Sequence, residues 1–157
     1  MRNISEGHKK HVTDKIIVFT ENKRTIRFKN PDQFKYIKVH IDGEAIKIGE
    51  RCDYLLTSGN EREEYFIELK GEDIMKAASQ LKTTIQNVGE FTDNRNSYII
   101  CTNVAPALTT KVQYLKKEFY KQLNSKLEVK SRQLEVSLKK NDVKVLYNTQ
   151  QNKSTHS

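Results

Sequence analysis

Residues 52 to 80 read CDYLLTSGNEREEYFIELKGEDIMKAASQ, and this stretch decides the fold. Two apolar runs, Cys52 to Leu56 and Tyr65 to Leu69, flank the polar segment Thr57 to Glu63, a pattern of strand, loop and strand. Gly71 ends the second run, and Glu72 or Asp73 can cap a helix. Ile74, Ala77, Ala78, Leu81, Ile85 and Val88 then recur at helical spacing, which predicts an amphipathic helix running to about Gly89. In a strand, residues two apart point to the same face, so Glu68 and Lys70 project together. Asp53 stands fifteen positions before Glu68, on the preceding strand. Two carboxylates and an ammonium so placed can bind a hard divalent cation and polarise a water molecule.

The tripeptide Glu68-Leu69-Lys70 alone carries little of this. With 13 Glu and 21 Lys in 157 residues, Glu-x-Lys recurs as Glu21-Asn22-Lys23 and Glu128-Val129-Lys130, and Asp142-Val143-Lys144 is an acidic variant. Context separates Glu68 from these, because an apolar strand holds it, an acid-bearing strand precedes it and an amphipathic helix follows. The bland alternative is a structural Asp53–Lys70 ion pair, with Glu68 on a half-exposed sheet. Apolar neighbours weigh against it, since charged groups are disfavoured on such strands. The two strands form an antiparallel hairpin whose register decides whether Asp53 meets Glu68, and alternation does not fix that register.

Working outward, residues 1–14 are polar and expected to be flexible. Lys15 to Thr20 and Arg24 to Phe28 read as strands around the turn Glu21-Asn22-Lys23. Tyr36 to Ile41 alternates as a further strand, Asp42-Gly43 signals a hairpin turn, and another strand is expected near Glu44. Ser97 to Thr102 is a short continuous apolar strand of the kind buried on both faces. Thr109 or Thr110 can cap a second helix, lined on one face by Val112, Leu115, Phe119 and Leu123. Lys111, Lys116, Lys117 and Lys121 occupy much of its remainder. Leu127 to Lys130, Gln133 to Leu138 and Val143 to Tyr147 read as closing strands, and residues 148–157 as a disordered tail. The expectation is one α/β domain over 15–147, a mixed β-sheet flanked by helices.

Composition narrows the functional classes. The net charge of +8 is uneven: residues 1 to 108 carry 17 Lys/Arg against 16 Asp/Glu, and residues 109 to 157 carry 11 against 4. A basic C-terminal third attracts polyanions and suits a phosphate backbone, which points to Lys111, Lys116, Lys117 and Lys121 as nucleic-acid contacts. Cys52 and Cys101 lie in apolar strands without metal-ligand spacing and read as reduced core residues. His40 reads as an ordinary strand residue, and His8, His11 and His156 lie in polar ends. No stretch has the pattern of a signal peptide or the length of a membrane span, so a cytoplasmic location is expected.

The ordered set of strand-Asp53, loop, strand-Glu68-x-Lys70-Gly71 and helix with Gln80 resembles the core of the PD-(D/E)xK nuclease superfamily over roughly residues 36 to 102. The resemblance implies a restriction-endonuclease-like fold and Mg²⁺-dependent phosphodiester hydrolysis, with Mn²⁺ able to substitute. It places Asp53 and Glu68 as metal ligands, Lys70 as the aid to the water nucleophile and Gln80 as a helix-borne site residue. The Leu69 carbonyl is a natural further ligand, since Mg²⁺ keeps several waters and needs few protein oxygens. Cys52 stands where a proline often precedes the first acid, and Thr84 where an aromatic partner of Gln80 is expected. Asp42, Glu44 and Glu50 are candidates for the further acid that a preceding helix often supplies. DNA is favoured over RNA as substrate, in defence against foreign DNA or in recombination and repair, by a homodimer or a subunit of a larger assembly. The alternative is a non-catalytic nucleic-acid-binding or protein-interaction module on the same fold.

Overall fold

The strand that carries Glu68 lies inside a six-stranded sheet covered on both sides. The computed structural model describes residues 4, 6–41, 51–60, 62–90 and 92–138, and of Lys70 and Gly71 the backbone alone. Numbered in chain order, the main sheet contains β1 (Lys9–Val12), β4 (Tyr36–His40), β5 (Tyr54–Ser58), β6 (Glu63–Gly71), β7 (Asn94–Cys101) and β8 (Ser125–Ser131), in the order β1-β4-β5-β6-β7-β8. The pairs from β1 to β6 are antiparallel, whereas β6, β7 and β8 run parallel. Helices α1 (Ile74–Val88) and α2 (Thr109–Leu123) make the two parallel crossovers. A second sheet contains β2 (Ile16–Glu21), β3 (Arg24–Lys29) and β9 (Gln133–Ser137), with β3 between the others and parallel to β9.

Side-chain alternation explains the layers. Along β6, Phe66 belongs to a core cluster that includes Ala77, Ala78 and Leu81 of α1 and Leu115 and Phe119 of α2, while Tyr65, Ile67 and Leu69 belong to the cluster shared with the second sheet. Burial on both faces is why Tyr65–Leu69 reads as an almost unbroken apolar run. The opposite layer is formed by Phe19, Ile26 and Phe28, whose rings and branches cover Tyr36, Tyr65, Ile67 and Tyr98. Each buried Leu, Ile or Phe contributes roughly 1.5–3 kcal/mol, so these two interfaces supply most of the driving force.

α1 follows its expected course. Asp73 caps it by accepting a hydrogen bond from the Lys76 N–H at 3.1 Å, and the Gly89 N–H closes the last turn on the Ile85 carbonyl at 2.8 Å. The β2–β3 hairpin turns on Asn22 and Lys23, whose φ values of 49° and 63° fit a two-residue type I′ turn.

Three expectations are corrected. The strands form two sheets, not one, because β2 and β3 each bury a single face, and that face covers the side of the main sheet away from the helices. Lys9–Val12, expected within the flexible N-terminus, pairs with β4 as the edge strand and buries Val12. Thr109 does not cap α2 with its side chain; its hydroxyl donates to the Pro106 carbonyl of a short 3₁₀ turn, Pro106–Leu108, that runs into the helix. The Asp42-Gly43 turn, the strand near Glu44, the strand from Val143 to Tyr147 and the tail over 148–157 lie outside the described residues. Among the described residues no helix is long and apolar enough to cross a membrane.

Candidate active site

Asp53 enters the site at an irregularity between β5 and β6. Tyr54 pairs with Ile67, yet the Asp53 N–H also donates to the Ile67 carbonyl, at 3.2 Å. Two residues of one strand thus address one residue of the other, which is the arrangement of a β-bulge and re-aims the side chain at that point. The Asp53 carboxylate turns onto β6, where its Oδ2 accepts the Leu69 N–H at 2.7 Å. On the other edge of β6, the pairing with β7 shifts between Glu68 and Gly71. The ladder therefore loosens on both sides of Leu69, at the carboxyl end of a parallel strand. Ligands of α/β sheets collect at such ends.

Glu68 precedes Leu69 and lies on the α1 side of β6, in line with Phe66. Glu68 is 0 % and Asp53 2 % exposed. The thiol of Cys52, the residue before Asp53, is pushed far above its usual range, first by burial and further by the charges of Glu68 and Asp53. A hydrogen bond from Thr84 works against that shift. The register question left by the strand pattern is thereby answered in part: the carboxylate of Asp53 reaches the residue next to Glu68, through a bulge instead of a regular pair.

Thr84 holds the approach to Asp53. Its hydroxyl accepts the Cys52 N–H at 2.7 Å and donates to the Gln80 carbonyl at 2.8 Å, tying the chain before Asp53 to the middle of α1. It is fully buried. Thr84 is the position where the family pattern carries an aromatic residue, and here it serves as a polar tie. A threonine flanked by Leu81, Ile85 and Val88 on the apolar stripe is the signal that marks it.

The second sheet also reaches the site. Arg24, the first residue of β3, donates from Nη1 to the Leu69 carbonyl at 3.0 Å and from Nη2 to the Thr102 hydroxyl at 2.7 Å. Leu69 is therefore held through its N–H by an acid and through its carbonyl by a guanidinium. The carbonyl expected to ligate a metal is the one that Arg24 engages. Beside it lies a cleft of about 570 Å³ lined by Asn22, Arg24, Glu72, Asp73, Lys76, Ala77 and Gln80. Gln80 is half-buried and lines this cleft from α1.

The other expected residues divide. Lys70 lies in β6 two residues beyond Glu68, and its side chain is outside the described residues, as are Asp42, Glu44 and Glu50 altogether. Lys111 borders a pocket with Glu72, Asp73 and Met75, where the two helices begin. Lys116 is half-buried, and Lys117 and Lys121 are exposed farther along α2. At 1.5 Å per residue, Lys121 is about 15 Å along the axis from Lys111, so the four do not form one cluster.

The donor set fits a hard cation that keeps its water. Asp53 and Glu68 supply carboxylate oxygens at neighbouring backbone positions, and Mg²⁺ commonly uses one or two carboxylates with waters and phosphate oxygens for the rest. Among the described residues no group of three or more His, Cys, Asp or Glu side chains could hold a metal, so a closed all-protein cage is not built from them. No family model, no curated protein sequence and no solved structure matches the chain.

Proposed function

We propose that this protein is a Mg²⁺-dependent nuclease of the restriction-endonuclease-like kind, hydrolysing phosphodiester bonds of nucleic acid, with DNA favoured. The observation that carries the reading is the burial of two carboxylates, Asp53 and Glu68, at one end of the sheet, where Asp53 accepts the N–H of Leu69, the residue after Glu68. Two buried carboxylates on adjoining segments supply the anionic oxygens that a hard divalent cation takes.

Asp53 and Glu68 would hold the ion, with Asp53 oriented by the Leu69 N–H. Such an ion, when bound, supplies charge neutralisation at the phosphate and a more acidic water. Lys70, on the strand that presents Glu68, would hold the attacking oxygen electrostatically, which a lysine does without any shift of its pKa. Gln80 would hydrogen-bond the substrate where it enters the cleft. Lys111, Lys116, Lys117 and Lys121 would draw the polyanion toward α2.

Cleavage of plasmid and single-stranded DNA with Mg²⁺ or Mn²⁺ tests this reading, comparing wild type with Glu68→Ala and Lys70→Ala. Cleavage by the wild type and its loss in both variants is expected. Equal cleavage by all three proteins refutes the site. Metal-independent binding without cleavage assigns the fold to a non-catalytic nucleic-acid module.

A further inference from the structure

Arg24 is a buried cation that makes no ion pair among the described residues. It is 8 % exposed, and its two hydrogen-bond partners, the Leu69 carbonyl and the Thr102 hydroxyl, are both neutral. Its Nε is buried and makes no hydrogen bond among the described residues. A guanidinium offers five donors, and burying its charge without an anion is costly. Arg95 shows the ordinary solution in the same molecule, with its Nε donating to the buried carboxylate of Glu64 at 3.0 Å. Arg24 instead lines a cleft.

We propose that Arg24 is an anion subsite that binds a phosphate group of the nucleic-acid strand beside the bond to be cut. The inference rests on the nucleic-acid reading above and extends it to the residue that grips the backbone. Three features support it. The β2–β3 turn fixes the arginine at the tip of a short hairpin, so little conformational freedom is lost on binding. Asn22, Lys76 and Gln80 line the same cleft and add donors and a second cation, while Glu72 and Asp73 stand on the same lining and disfavour an anion on their side. Asp73 is already engaged in capping α1. Finally, Leu69 holds Arg24 through its carbonyl and Asp53 through its N–H, so a single residue sets the spacing between the anion subsite and the acid pair. A guanidinium suits the task because its planar fork matches two phosphate oxygens.

The test is fluorescence anisotropy of labelled duplex and single-stranded DNA oligonucleotides with EDTA present, over a series of salt concentrations, for wild type, Arg24→Gln and Arg24→Lys. Glutamine keeps donors for Leu69 and Thr102 but removes the charge. Arg24→Gln should bind at least about tenfold more weakly at low salt, with the slope of log affinity against log salt reduced by about one. Arg24→Lys should keep the slope. A folded Arg24→Gln with wild-type affinity and slope overturns the proposal, and so does wild-type protein that binds neither oligonucleotide. Should Arg24→Gln fail to fold, the Nε–H resonance of Arg24 in ¹⁵N-labelled wild type decides: a shift on adding oligonucleotide supports the subsite, and an unmoved signal at saturation overturns it. Binding that depends on Arg24 in a protein that never cleaves would uphold the subsite and remove the nuclease reading. Cleavage that depends on Glu68 beside unchanged binding by Arg24→Gln would do the reverse.

Discussion

Strand β6 buries two glutamates on the same face, four residues apart, and treats them in opposite ways. Glu64 is 1 % exposed and accepts from Arg95 Nε at 3.0 Å and from the Glu90 N–H at 2.9 Å. Arg95 in turn donates to the carbonyls of Leu123 and Glu90, so this end of the strand clamps the carboxyl ends of both helices. Glu68, at the other end, precedes Leu69, whose N–H Asp53 accepts, and the thiol of Cys52 is raised in part by both charges. Glu64 is buried with the counter-charge of Arg95, whereas Glu68 is buried where Asp53 reaches the neighbouring Leu69. Burial alone thus says little about an acid; its hydrogen-bond partners are what identify Glu64 as part of a structural clamp.

The sharpest way to break this comparison is to remove charge at each end without removing volume. Glu68→Gln should lower cleavage by about 10²–10³-fold or more, the range seen when a single electrostatic group is lost from an active site. Its thermal stability should stay close to that of wild type, as expected of an acid kept for a bound cation and not for the fold. A Glu68→Gln protein that melts well below wild type would place Glu68 with the structural acids. At the other end, Arg95→Met should cost about 3–5 kcal/mol in urea unfolding, since it strands a buried carboxylate and leaves the Leu123 and Glu90 carbonyls without their donor. A loss below about 1 kcal/mol, the scale of an exposed pair, would show that the clamp is not what stabilises this end.

Thr84 offers a smaller and more local measurement. Thr84→Val keeps the shape and leaves the Cys52 N–H without its acceptor, at a cost of about 1–3 kcal/mol. Because that N–H lies next to Asp53, the variant should also lose affinity for Mn²⁺ in a calorimetric titration. A normal titration from a destabilised protein would confine Thr84 to packing.

How much of this was legible follows from the range of each interaction. β6, α1 and the Asp73 cap came from period-two and period-3.6 patterns over a few residues, and patterns of that length are written in the chain itself. The β2–β3 hairpin was legible for the same reason, through its polar turn. The split into two sheets was not, because an apolar face says that it must be covered and not by what. Nor was Arg24, whose bond to Leu69 spans 45 positions, or Thr84, whose bond to Cys52 spans 32. Both are side chains that seek backbone groups far along the chain, a kind of contact that leaves no periodic trace. The bulge at Asp53 belongs with them: regular alternation predicts paired strands, and the site is built where the pairing departs from regularity.

The smallest expected effect concerns pH and tests whether the clamp is fully compensated. Burial raises the carboxyl of Glu64 above its ordinary value of 4.5, while the Glu90 N–H and Arg95 pull it back without cancelling the rise. An acid raised in the folded state holds its proton longer there than in the unfolded chain. Its contribution to stability is complete below the unfolded value and is lost as pH climbs through the folded one. The unfolding free energy of wild type relative to Glu64→Gln, which does not titrate, should therefore fall as pH rises above the ordinary carboxyl value and level off once the folded carboxyl is ionised. Urea midpoints for the two proteins across that range measure it. A difference that grows with pH would mean that Arg95 outweighs desolvation, making Glu64 a carboxylate stabilised by folding and widening its contrast with Glu68. A difference that falls makes Glu64 an acid that folding strains even beside Arg95, with desolvation outweighing the ion pair that holds the clamp.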